Sequence, residues 1–234
     1  MNVVELRASL ESVRERLARA TERAGRAEAV DIVAVTKTHG DDVVDAALEA
    51  GLSRLGENRV QELAGKVARL EGLGRAAEAE WHLIGHLQRN KVKQALPLFD
   101  LIHSIDSERL AMELSKEAER SGRVVTGLVQ VNTSGEDAKS GFMYDEAVDA
   151  VGRICEMPAL RVVGLMTMAP FTDDERVLRT TFARARDLYD RCAALDGFEA
   201  RHLSMGMSND YVIAVEEGST MVRLGTVLFG ERQR

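Results

Sequence analysis

Lys37 is the first residue of this sequence placed to do chemistry. It follows the apolar run Ile32-Val33-Ala34-Val35 through Thr36, so it leaves a strand candidate at its carboxyl end. There an amine is partly desolvated, which favours the neutral form that attacks a carbonyl to make a Schiff base. The same position also suits a lysine whose stem packs on the strand end while its head reaches solvent.

Two loops near the other end of the chain have the composition of an anion site. Ser204-Met205-Gly206-Met207-Ser208-Asn209-Asp210 precedes a helix candidate that Ser208 or Asn209 can cap, which brings hydroxyls and unpaired backbone N–H groups together. Gly225-Thr226 opens the short segment Val227-Leu228-Phe229-Gly230, a single helical turn presenting more N–H groups. Taken separately, each loop reads equally well as caps and turns. Arg223 lies within Met221-Val222-Arg223-Leu224, where an unpaired guanidinium is costly to bury, so it faces a ligand, a carboxylate or an ion pair within the fold.

These residues need a scaffold that brings strand ends together, and the chain is patterned for one. Strand candidates fall at 32–36, 53–56, 81–84, 101–105, 126–131, 162–166, 201–204 and 222–225, with helix candidates at 41–50, 59–71, 88–96, 107–120, 144–155, 174–193 and 209–217 between them. Strict alternation of this kind forces parallel strands joined by helical crossovers. The simplest closure is an α/β fold, a single (β/α)8 barrel of the TIM type spanning residues 1–234, and about 250 residues is its usual size. An open doubly wound sheet is the alternative, but no GxGxxG follows the first strand candidate. Val3, Val4, Leu6, Leu10, Val13, Leu17 and Ala20 add an amphipathic N-terminal helix that Asn2 can cap. In a barrel the strand ends carrying Lys37, Ser204–Asp210 and Arg223–Thr226 converge on one mouth, and loops after the seventh and eighth strands commonly hold a phosphate.

Composition narrows the function classes. The chain has 234 residues, 31 basic against 38 acidic, for a net charge of −7, which argues against nucleic-acid binding through phosphate neutralisation. No run of eighteen apolar residues suggests a membrane span, and Glu5 and Arg7 interrupt any signal-like apolar core. Cys155 and Cys192 are far apart, as in reduced thiols, and the expected compartment is the cytoplasm.

Other groupings read as structural. His82 and His86 are four apart, but Gly85 and the strand-like Trp81–Ile84 separate them, so a shared metal is not expected. His103 and His202 sit inside strand candidates as hydrogen-bonded core or mouth histidines. Arg89, Lys91 and Lys93 form a solvated helix face, and Lys139 in the polar loop 132–142 reads as an exposed mouth lysine.

Six segments together resemble the pyridoxal phosphate homeostasis proteins, single-barrel relatives of the alanine racemase N-terminal domain. They are Ala34–Lys37, Gly56–Glu62, Trp81–Lys91, Gly164–Pro170, Leu203–Ser208 and Gly218–Thr226. The resemblance implies the fold-type III class of pyridoxal 5′-phosphate (PLP) proteins, with PLP bound covalently to Lys37. It also implies a phosphate held around Ser204, Ser208, Gly225 and Thr226, Arg223 at the pyridine nitrogen, and Asn58 near the ring. Gly206 suits a close backbone approach to that phosphate.

The function so implied is PLP homeostasis: a monomer buffers the cofactor and delivers it to PLP-dependent apoenzymes without significant turnover. The alternative is an amino-acid racemase of the alanine racemase type, which in the resembled enzymes draws a tyrosine base from an extra β domain. This sequence runs only eight residues past Thr226, and Tyr144, Tyr189 and Tyr211 all read as helical, so no such base is expected. A cofactor-free aldolase using Lys37 and a sugar phosphate is the third reading.

Overall fold

A computed structural model describes residues 2–136 and 140–230; Lys139 therefore lies outside the described residues. The strands are β1 (Asp31–Val35), β2 (Arg54–Glu57), β3 (Glu80–Leu83), β4 (Leu101–Ile105), β5 (Val125–Asn132), β6 (Phe142–Met143), β7 (Leu160–Met166), β8 (Phe198–Met207) and β9 (Met221–Leu224). Their order is β4-β3-β2-β1-β9-β8-β7-β5-β6, and the further pairing of β4 with β5 closes the ring. All pairings are parallel. Setting aside the two-residue β6, eight strands make the expected barrel, so the seventh and eighth strand candidates are β8 and β9.

Alternation along each strand separates two apolar layers. Ala34, Ile102, Val129, Leu165 and Val222 pack outward with the helices, while Val33, Leu101, Leu128, Met166 and Met221 form a separate cluster inside the barrel. Above and among these interior residues the inward positions turn polar at His82, His103, Ser204 and Arg223, each buried.

The helices are α1 (Val3–Arg23), α2 (Asp41–Glu49), α3 (Val60–Gly72), α4 (Val92–Ala95), α5 (Glu108–Ser121), α6 (Ala147–Cys155), α7 (Glu175–Cys192), α8 (Tyr211–Glu216) and α9 (Thr226–Phe229). Asn2 caps α1 as its sequence suggests, accepting the Val4 N–H at 3.0 Å. Buried Leu6, Leu10, Val13 and Leu17 turn α1 toward α2, α8 and α9.

Three expectations about elements are corrected. The helix expected at 88–96 is a 3-10 turn, Arg89–Lys91, followed by the single turn α4, which stops where Pro97 has no N–H to continue the helical hydrogen-bond ladder. The strand expected at 201–204 runs from Phe198 to Met207; its charged residues are held by Arg161–Glu199 and Arg201–Glu199 ion pairs at the outer edge rather than by burial. The cap expected from Ser208 or Asn209 is absent: Asp210 occupies the N-cap position of α8 without a side-chain bond to the helix, and Ser208 is used elsewhere.

Candidate active site

The carboxyl ends of the strands surround a cleft of about 620 Å³. Lys37, Asn58, Ser208, Arg223, Gly225 and Thr226 all line it, although up to 189 positions separate them in the chain. A cleft of similar size, about 650 Å³, lies between α1 and the opposite end of the barrel. Two of its arginines are already engaged, Arg54 with Asp31 and Arg26 with the Ser219 carbonyl, and parallel barrels carry their chemistry at the carboxyl end.

Lys37 stands in a tight turn. Thr36 ends the β1 run with its side chain fully buried, its hydroxyl donating to Glu57 Oε1 at 2.7 Å, and its carbonyl accepting from His39 N–H at 3.1 Å and Lys66 Nζ at 2.9 Å. Thr38 follows with a φ of +63°, left-handed backbone that a β-branched residue adopts only under constraint. The residues on either side of Lys37 are thus held by side chains of β2 and α3.

Across the cleft, Ser208 Oγ accepts from the backbone N–H of Gly225 and of Val227, both at 3.3 Å. The hydroxyl of Ser208 and the first turn of α9 therefore meet at one point, which draws negative charge. Arg223 lies on the floor. Its Nη1 donates to the Ser204 carbonyl at 2.8 Å and hydroxyl at 2.7 Å, and its Nη2 to the Thr167 carbonyl at 2.9 Å. Burial lowers the guanidinium to about 10, partly offset by Asp210, and it stays charged at neutral pH. The Asp210 carboxyl is raised by its own burial and accepts the Met207 N–H at 2.6 Å.

A curated relative, the pyridoxal phosphate homeostasis protein of Aquifex aeolicus (strain VF5), is 40% identical over 225 residues, covering 96% of this chain and 97% of that protein. This chain belongs to the pyridoxal phosphate homeostasis protein family. The wider family model for the alanine racemase N-terminal domain matches residues 8–233. PipY of Synechococcus elongatus PCC7942, solved with PLP bound, is similar in structure; it is 35% identical, with a TM-score of 0.79 over 93% of this chain and all of PipY. An alanine racemase from Clostridium difficile shares the fold at 15% identity, with a TM-score of 0.73 over 96% of this chain but 58% of the enzyme.

Within this homeostasis-family barrel two of the sequence-derived site residues stand apart from the cleft. Ser204, expected at the phosphate, is completely buried, its hydroxyl bonded to Arg223 and to His103 Nδ1 at 3.0 Å. Gly206 has a φ of +96°, and a Cβ there would come within 2.7 Å of the Ala214 methyl, so the glycine lets β8 pass close to α8.

Sequence reasoning also left several cleft residues unassigned: His39, Gln130, Met168 and Asp210 line it as well. Gly85 serves the site indirectly, because a Cβ there would lie 2.5 Å from the Asn58 carbonyl oxygen. Its place in the quoted Trp81–Lys91 segment was the available signal; the Asn58 contact 27 positions away was not. His86 lines the cleft and pairs with Asp106 at 2.8 Å, whereas His82 points into the barrel, so the two do not share a ligand. Among the described residues no cluster suited to a metal ion occurs, and no helix is long and apolar enough to cross a membrane.

Proposed function

We propose that this chain, as a single barrel domain over residues 1–234, binds PLP in the carboxyl-end cleft and buffers it for delivery to PLP-dependent apoenzymes in the cytoplasm. The observation that carries this is the meeting in one cleft of Lys37, the Ser208–Gly225–Val227 donor group and the Arg223 guanidinium. The donor set fits the cofactor at three points: an amine for an aldehyde, hydroxyl and N–H donors for a phosphate, and a cation that only donates for a ring nitrogen. Val35, Ile84 and Met168 offer apolar contacts for the ring.

Lys37 holds the cofactor covalently, Ser208, Thr226 and the α9 N–H groups hold its phosphate, and Asn58 lies beside the ring. PLP, when bound, supplies an aldehyde that condenses reversibly with amines. Ser204 and Gly206 support the site from beneath, Ser204 through Arg223 and Gly206 by allowing β8 to pack on α8. Phe171 on the rim is 94% exposed, which supports a mouth open to arriving amines and to a receiving protein.

The chain carries and does not turn over amino acids. A racemase needs a second proton donor opposite its lysine. The sequence has three tyrosines, and none lines the cleft: Tyr144 donates to Asp187, Tyr189 packs edge-on against Phe198, and Tyr211 is buried on α8. Arg223 is a further argument, since a guanidinium can only donate, so a pyridine nitrogen facing it accepts that bond and stays unprotonated, a weaker electron sink. The protein acts as a monomer, and its net charge of −7 disfavours nucleic-acid partners.

The test is α-hydrogen exchange. A panel of L- and D-amino acids is incubated in D₂O with PLP-loaded protein and followed by NMR against free PLP. Exchange at the background rate is expected; exchange of any one amino acid above about 1 s⁻¹, the low end of ordinary turnover, makes the protein an enzyme of the racemase kind.

A further inference from the structure

A line of hydrogen bonds crosses the barrel interior from one mouth to the other. Glu80 Oε1 lies 3.1 Å from His82 Nε2, His82 Nδ1 lies 2.9 Å from His103 Nε2, and His103 Nδ1 lies 3.0 Å from Ser204 Oγ. Arg223 Nη1 closes the line at 2.7 Å from the same hydroxyl. Glu80 is the first residue of β3, at the amino-terminal end of the barrel, with a half-exposed side chain, whereas Arg223 lines the cleft at the other end. His82, His103 and Ser204 between them have no solvent exposure.

The direction of these bonds follows from counting protons. Arg223 can only donate, so Ser204 Oγ accepts from it. The Ser204 hydroxyl has one proton, and the only acceptor in reach among the described residues is His103 Nδ1. His103 then carries its proton on Nε2 and donates to His82 Nδ1, and His82 carries its own on Nε2 and donates to the Glu80 carboxylate. Every donor and acceptor along the line is used once, with both imidazoles neutral. A proton added to His82 would reverse the His82–His103 bond and, through it, leave the Ser204 hydroxyl without an acceptor.

We propose that Glu80, His82, His103 and Ser204 form a one-way hydrogen-bond chain that fixes the Arg223 guanidinium on the cleft floor, so that His82 and His103 are positioning residues for the cofactor ring. Such a chain, with a carboxylate at one end and a guanidinium at the other, is aligned by both charges and strengthened by each successive bond. The geometry agrees with the electrostatics of the interior: burial above all, with the Arg223 charge beside it, pushes His103 well below its usual range and keeps it neutral. The other groups facing the lower end are Arg54, 3.2 Å from the second Glu80 oxygen, and Asp31, 3.9 Å from His202. The link to the cofactor ring rests on the proposed PLP site; the chain itself does not.

Long-range ¹H–¹⁵N NMR of the imidazoles in the wild-type protein without PLP tests the chain directly. Both His82 and His103 are expected as neutral Nε2–H tautomers at pH 7. An Nδ1–H tautomer or an imidazolium at either residue overturns the chain. Rotation of the Arg223 guanidinium about Cζ–Nε gives a second reading. His103→Leu strips the Ser204 hydroxyl of its acceptor and frees it to turn from Arg223, so it should speed rotation by up to about tenfold, the worth of the one Arg223–Ser204 hydroxyl bond put at risk, while His82→Asn, whose amide oxygen can still accept from His103, should leave it within about twofold of wild type. Unchanged rotation in His103→Leu contradicts a positioning role. PLP added to the wild type should shift the Arg223 Nη signals. If they stay fixed although Lys37 is labelled by PLP and borohydride in the same sample, the link to the ring is wrong; if Lys37 is also unlabelled, it is the proposed cofactor site that has failed.

Discussion

Lys66 Nζ lies 2.6 Å from Glu57 Oε1, in a pair whose side chains are 9% and 0% exposed, and it also donates to the carbonyl of Thr36, the residue before Lys37. A buried carboxylate from β2 and a buried ammonium from α3 thus fix the strand end that presents the candidate nucleophile. The second Glu57 oxygen has no hydrogen-bond partner, so the pair is already short of donors on one side.

Removing one member of this pair should therefore be costly. Lys66→Met leaves a buried, unpaired carboxylate and is expected to lower unfolding free energy by about 3–5 kcal/mol, measured by urea denaturation with an unchanged m-value. A loss below about 1 kcal/mol would mean that Glu57 is readily resolvated.

The phosphate contacts make a second prediction. Ser208→Ala and Thr226→Val should each weaken PLP binding about ten- to a hundredfold, the worth of a charge-assisted hydrogen bond. Ser121→Ala, at the exposed end of α5, is the control. Titration by visible absorbance checks it, and equal affinities in all three variants would place the phosphate elsewhere.

Gly85 tests the packing behind Asn58. In Gly85→Ala the new methyl meets backbone rather than a flexible side-chain end, with the Asn58 carbonyl oxygen 2.5 Å away. Stability should fall by about 1–3 kcal/mol, as for an overpacked core, together with PLP affinity. Wild-type stability in denaturant would show that the two loops separate without cost.

The histidines inside the barrel predict how stability responds to acid. His103 and His202 are both held below their usual range, chiefly by burial. A base with a depressed folded-state pKa leaves the unfolded chain holding more protons. The stability it confers is complete above about pH 6.5 and is lost as pH falls from there toward the folded value. Urea denaturation at pH 7.5, 6.5 and 5.5 should show a decline of up to about 1.4 kcal/mol per pH unit for each such histidine, and His103→Asn should flatten it. The carboxylates lowered by ion pairing, such as Glu199 beside Arg161, act in a more acidic window and do not mask this one.

The alternation of β-branched runs with Ala-, Leu-, Glu- and Arg-rich stretches made the barrel legible, because a parallel strand must be buried on both faces and a crossover helix on one. The cleft was legible for the same reason: once strand ends are known to converge, Lys37, Ser208, Arg223, Gly225 and Thr226 can be brought together without coordinates. The burial of Ser204 beneath the cleft was not legible, because sequence cannot distinguish a hydroxyl above the barrel floor from one below it; Ser204 lies within β8, whereas Ser208 lies just past its end. The line from Glu80 to Arg223 was invisible as a unit, since its five members lie on four strands. Its available trace was parity, with polar His82, His103, Ser204 and Arg223 standing at inward positions among apolar neighbours.

Covalent trapping shows whether Lys37 holds PLP in the carboxyl-end cleft. The protein is loaded with PLP, reduced with borohydride, digested and mapped by mass spectrometry. The pyridoxyl group is expected predominantly on Lys37. Predominant labelling of Lys66, Lys91 or Lys139, or no stable label at any lysine, would show that Lys37 does not hold the cofactor.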